Sequence, residues 1–140
     1  MSGDKDYSGT PLHRKLGIKE GHRVVALGPP DDLGALLGDL PPGVRVGARL
    51  AADTDVVLLF ATKRRDLERR LGRGAENLDP AGGLWVAYPK KSSGVATDLT
   101  FAEVQAAGLA AGLVDNKSCA IDAIWSGVRF VYRLADRPFA

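Results

Sequence analysis

The chain has 140 residues, 45% of them hydrophobic and 26% charged, the size and balance of one soluble domain with a single core; disordered and membrane-spanning classes are excluded. A net charge of +2 argues against a general nucleic-acid binder. Cys119 is the only cysteine, which excludes an internal disulfide and a thiolate zinc cluster; His13 and His22 lack partners at ligand spacing, so no metal site is expected.

Residues 1–9 are small, polar and aperiodic, and are expected to form a disordered tail without the apolar segment of a secretion signal; a cytoplasmic location follows. The domain is expected over residues 10–135, with a second short tail at 136–140. Thr10-Pro11 reads as a helix start with proline at the first helical position, and Gly17 and Gly21 break that helix. Arg23 to Gly28 is a short apolar run of the kind that forms a strand buried on both faces. After Pro29-Pro30, Asp31 or Asp32 is expected to cap a helix carrying Leu33, Leu36, Leu37 and Leu40, which Pro41-Pro42-Gly43 stops.

Val44 to Leu50 is a weaker second strand, interrupted by Gly47, and Asp55 to Ala61 is the clearest buried strand of the chain. A charged helix with the apolar stripe Leu67, Leu71, Ala75 and Leu78 follows from Lys63 to Leu78, and Asp79 to Gly83 is expected to end it as a loop. Leu84 to Tyr88 is the fourth strand and Pro89 to Gly94 the loop that leaves it. Thr100 with Glu103 forms a capping box, Leu99 and Val104 a hydrophobic staple, and Gly112 an αL stop, which places a helix over 101–111. The chain is expected to close with a hairpin of Lys117–Trp125 and Val128–Leu134 around Ser126-Gly127, with Ala123 facing Phe130 and Cys119 facing Leu134. On its other face, Asp122 and Arg129 are expected to form a cross-strand ion pair.

Strand and helix alternate, so the fold class is α/β: a small Rossmann-like, mainly parallel sheet with helices on both faces and a C-terminal antiparallel hairpin. The order resembles the second half of the class I methyltransferase-like fold. The runs Leu84 to Thr100, Gly112 to Asp115 and Ala120 to Gly127 resemble an uncharacterised bacterial family of small cytoplasmic proteins known only as a domain of unknown function, over roughly residues 11–134. That resemblance implies the fold and carries over no functional residue.

A cofactor-binding unit of this kind needs glycines after the first strand and an acidic residue after the second. Here the turn reads Leu27-Gly28-Pro29-Pro30-Asp31-Asp32, in which prolines remove amide donors and aspartates repel an anion, and the second strand runs to Arg49. Methyltransferase-like folds also carry a further strand and helix before the third position, which this chain lacks. No cofactor is expected: neither S-adenosylmethionine nor a dinucleotide. Serine-hydrolase, Walker and zinc-protease patterns are also missing, and Cys119 reads as a buried, inert thiol.

In an open α/β sheet, ligands bind beyond the carboxyl ends of the strands. That edge collects Lys63, Arg64 and Arg65 after the third strand, Lys90, Lys91, Ser92, Ser93 and Gly94 after the fourth, and Trp125. Cations opening a helix are unfavourable by roughly 0.3–1 kcal/mol each, which a bound anion would offset; the plainer reading is a solvated edge balanced by Asp66, Glu68 and Asp98. The expected function is a non-enzymatic accessory or regulatory domain that binds an anionic small molecule or an acidic protein surface at this rim. The alternatives are a minimal enzyme for a phosphorylated or carboxylated small molecule and a degenerate methyltransferase. Nucleic acid and membrane are not expected as partners, and strand 128–134 offers an edge for a homodimer if it is not internal to the sheet.

Overall fold

The computed structural model describes residues 10–133; both expected tails, and the Leu134 side of the Cys119 pairing, lie outside them. The elements are α1 (Leu12–Lys15), β1 (Arg23–Leu27), α2 (Leu33–Leu37), β2 (Arg45–Gly47), β3 (Thr54–Phe60), α3 (Arg64–Asn77), β4 (Leu78–Pro89), α4 (Phe101–Ala110), β5 (Leu113–Ala120) and β6 (Trp125–Tyr132), with a 3₁₀ turn at Lys91–Ser93. The sheet has the order β2-β1-β3-β4-β6-β5. The first four strands are parallel, and β6 runs antiparallel between β4 and β5.

Alternation along the central strands divides the core into two layers. Val57 and Leu59 of β3 and Leu84 and Val86 of β4 pack with Leu67, Leu71 and Ala75 of α3 and Val104 of α4. Val56, Leu58 and Phe60 with Trp85 and Ala87 pack on the opposite side with Leu16, Ile18 and Leu37. The strands read as continuous apolar runs because both faces are covered. Two long-range hydrogen bonds fasten distant segments, one within each layer. The buried Trp85 indole N–H donates to the Leu16 carbonyl at 2.9 Å, and the Tyr132 hydroxyl donates to the Ala75 carbonyl.

Helix α4 starts where its capping signal lies, with Thr100 Oγ1 accepting from the Glu103 N–H at 3.3 Å. Gly112 follows its end at φ +88°, a conformation a side chain resists. Elsewhere local signals are overruled. Pro11 is the N-cap of α1 rather than its first residue. Asp32 precedes α2 without a side-chain cap. Residues 79–83 belong to β4, which begins at Leu78 and pairs with β3 again at Gly83 after an irregularity.

The hairpin departs most from expectation. Its strands are β5 and β6, and its turn is residues 121–124, not Ser126-Gly127. Asp122 Oδ1 accepts from the amides of Ile124 (2.8 Å) and Trp125 (2.7 Å), an Asx-type closure that releases Ser126 and Gly127 into β6 opposite Tyr88 and Ala87. Lys117 therefore faces Arg129, and Cys119 faces Gly127. The Asp122 carboxylate serves the turn rather than a cross-strand ion pair, while the Arg129 guanidinium lies against Gly83. Because β6 is internal to the sheet, its backbone offers no free edge; β2 and β5 are the edge strands.

Candidate functional site

The carboxyl ends of β3 and β4 lie side by side, with Phe60 opposite Ala87, so the two cationic loops leave from neighbouring strands. Lys63 is the N-cap of α3, and Arg64 and Arg65 are its first two residues. The Arg64 amide donates to Asp98 Oδ1 at 2.8 Å, and its guanidinium pairs with the Glu103 carboxylate. Segment 97–98 is strapped to the end of β3, since Thr97 Oγ1 (2.6 Å) and the Asp98 amide (3.3 Å) both donate to the Thr62 carbonyl. The anionic offset required at the start of α3 is thus partly supplied from within the chain by Asp98.

The second loop is equally built. The Lys90 amide donates to the Ile124 carbonyl at 2.7 Å. Ser93 Oγ donates to the Lys90 carbonyl (2.6 Å) and accepts from the Val95 amide (3.2 Å), so that hydroxyl is already engaged. Gly94 takes φ +75° to end the 3₁₀ turn. Lys63, Arg65, Lys91 and Ser92 are exposed, and Lys90 is half-buried. Trp125 reaches the same edge opposite Pro89, but its ring stands edge-on to Phe60, with centroids 5.2 Å apart and planes at 84°. It closes the core beneath the rim.

The turn after β1 is shaped by a residue from another element. Gly28 has φ +63°, and a Cβ there would meet Arg70 Nη1 at 2.4 Å and the Phe60 carbonyl at 3.0 Å. Arg70, from the middle of α3, covers the turn and donates to that carbonyl at 2.6 Å. Arg49, Arg69 and Arg73 line the same concavity. From the sequence, Arg49 reads only as a missing carboxylate, and Arg69, Arg70 and Arg73 only as part of an otherwise charged helix. The signal was their spacing, since positions 69, 70 and 73 fall on one flank of a helix.

Cys119 is half-buried against the Trp125 side of the core. A register shift between Asp115 and Lys117 turns the end of β5 to bring it there. Burial pushes its pKa up, against smaller opposing effects of Lys15 and Lys117. A raised thiol pKa keeps the neutral form to higher pH, so this contribution to stability is present at neutral pH and is lost as pH rises through the folded-state value. Iodoacetamide is expected to alkylate Cys119 more slowly than free cysteine at neutral pH, with the gap closing as pH rises; a rate equal to free cysteine at neutral pH would contradict this placement.

Solved structures share the fold. A TehB-like SAM-dependent methyltransferase from Corynebacterium glutamicum aligns with a TM-score of 0.63 at 12% identity, covering 94% of this chain and 90% of its own. A SAM-dependent methyltransferase from Aquifex aeolicus gives 0.61 at 15% identity, covering 85% and 86%. Mitomycin 7-O-methyltransferase gives 0.66 at 15% identity over 88% of this chain, which spans about half (53%) of that enzyme. No curated protein sequence matches. The residues present do not fit S-adenosylmethionine. The glycine that should admit a ligand lies under Arg70, and Arg49 stands beside it where a ribose-binding carboxylate is needed. Over residues 14–134 the sequence matches the profile described as protein of unknown function (DUF3052), and the chain belongs to that family.

Proposed function

We propose that this chain is a non-catalytic accessory or regulatory domain of the cytoplasm that uses a methyltransferase-like scaffold to dock an acidic protein surface or other anionic ligand at the carboxyl edge of its sheet. The observation that carries the reading is the exposure of Lys63, Arg65 and Lys91 on two loops that leave neighbouring strands and whose backbones are pinned by hydrogen bonds. A rigid, open, cationic edge suits an extended acidic surface, because the cations need not be ordered on binding. Arg64 contributes to the frame instead, through Asp98 and Glu103.

Affinity capture with the full chain tests this. A partner held by the wild type is expected to be lost in Arg65→Glu/Lys91→Glu and retained in Arg23→Glu, at the opposite edge. Capture that survives the double reversal overturns the rim assignment. Calorimetric binding of S-adenosylmethionine would overturn the non-catalytic reading.

A further inference from the structure

We infer that the pocket between the end of β1, the 48–50 segment and the flank of α3 binds a small molecule carrying a diphosphate group. It is separate from the loop rim proposed above and stands or falls independently of it. Helix α3 packs on β3 and β4. On that side β1 is bordered by the segment joining β2 to β3, whose Ala48, Arg49 and Leu50 face a gap shared with Leu27 and Gly28. The gap is a pocket of about 430 Å³, within the range of small-ligand sites.

Its walls are of one charge. Arg49, Arg69, Arg70 and Arg73 line it, with Leu27 and Leu50 as an apolar floor and no carboxylate in the lining. Arg69 shares its charge with Asp66, outside the lining, at 3.1 Å, which leaves the guanidinium groups of Arg49, Arg70 and Arg73 without a carboxylate partner among the described residues. Arg70 is fixed by its bond to the Phe60 carbonyl and keeps further N–H donors free. Arg69 and Arg73 are four residues apart and Arg70 and Arg73 three, so the like charges repel along the helix. A dianion among them would remove that repulsion. All four cations are arginines, whose planar forks bind phosphate oxygens in pairs. The concave shape and the apolar side chains of Leu27 and Leu50 favour a compact molecule over a protein surface.

Calorimetry and thermal shift on the full chain, with inorganic pyrophosphate, ADP and adenosine as probes, test the inference. Wild type is expected to bind pyrophosphate and ADP, more weakly as salt rises, and not adenosine. Arg49→Gln/Arg73→Gln is expected to weaken ADP binding by about tenfold or more. Both side chains are exposed, and unchanged circular dichroism would show an intact fold. Arg49→Lys/Arg73→Lys keeps the charge and is expected to fall between the two. Lys63→Gln/Lys91→Gln is expected to bind like wild type. No binding of pyrophosphate or ADP, equal binding of adenosine, or indifference to the arginine changes would overturn the inference. Loss in the Lys63/Lys91 variant alone would also overturn it, by moving the anion to the loop rim and favouring the reading of the previous section. A single-stranded oligonucleotide that binds more tightly than ADP through the same arginines would overturn the small-molecule assignment.

Discussion

Gly108→Ala is expected to lower the unfolding free energy by about 2 kcal/mol, although alanine is the better helix former by about 1 kcal/mol. A Cβ at position 108 would lie 2.0 Å from Phe130 Cε1 and 2.4 Å from Cδ1, far inside van der Waals contact. The ring cannot swing into solvent, because Phe130 is 0% exposed and is held in the α3–α4 layer of the core with Leu84, Val104 and Leu113. Either α4 lifts from the sheet or the ring leaves its rotamer, and each loses packing along β6. Urea unfolding followed by circular dichroism measures the effect. Phe130→Leu would free the space, so the double variant is expected to lose less than the sum of the two single changes, by about 1 kcal/mol or more. Additive losses, or a net stabilisation by Gly108→Ala alone, would show that this contact does not limit the packing of α4.

Trp85→Phe should cost about 2–4 kcal/mol, from an unpaired buried carbonyl and a smaller ring in a filled site. Trp85 is 1% exposed, and its N–H is the partner of the Leu16 carbonyl. That bond spans 69 positions and fastens the N-terminal segment, with Leu16 and Ile18, to the centre of the sheet. Phenylalanine retains much of the apolar contact but offers no donor. Amide exchange of residues 14–22 is therefore expected to accelerate more than that of β3, with Trp125 remaining as a fluorescent reporter of global unfolding. Uniform acceleration across the protein would mean that Trp85 acts only as bulk in the core.

The same two contacts show where local sequence stops being informative. That Trp85 is buried follows from its place in an apolar run, whereas the identity of its acceptor depends on where Leu16, just after α1, comes to lie against the sheet. Gly108 inside a good helical pattern reads as a weak point; only Phe130 arriving from β6 makes it a requirement. The turn at Asp122 was open to inspection, since an aspartate two and three residues before free amides is turn chemistry. Ser126-Gly127 offered a competing local signal of similar strength. Tertiary pairing decided between them: β6 must run beside β4 from Trp125 to Phe130, and a turn at 126–127 would break that ladder.

The candidate sites divide along the same line. The loops after β3 and β4 were legible because charge and hydroxyl residues cluster there and because the ends of parallel strands are where ligands bind. Their internal partners, Asp98 and Glu103 on Arg64 and Thr97 on Thr62, were not, since each joins residues more than thirty positions apart. The arginine pocket was hidden for the same reason, being made from three separated segments.

By itself the sequence determined the apolar strands, the capped start and glycine stop of α4, the α/β alternation and the departure from a glycine-rich cofactor turn. These follow from short-range propensity, periodicity and steric limits acting within a few residues. Only the tertiary structure decided the insertion of β6 between β4 and β5, the true hairpin turn, the cover of Arg70 over Gly28 and the convergence of four arginines. Those depend on which distant surfaces meet, and sheet pairing and core packing, rather than local preference, set that outcome.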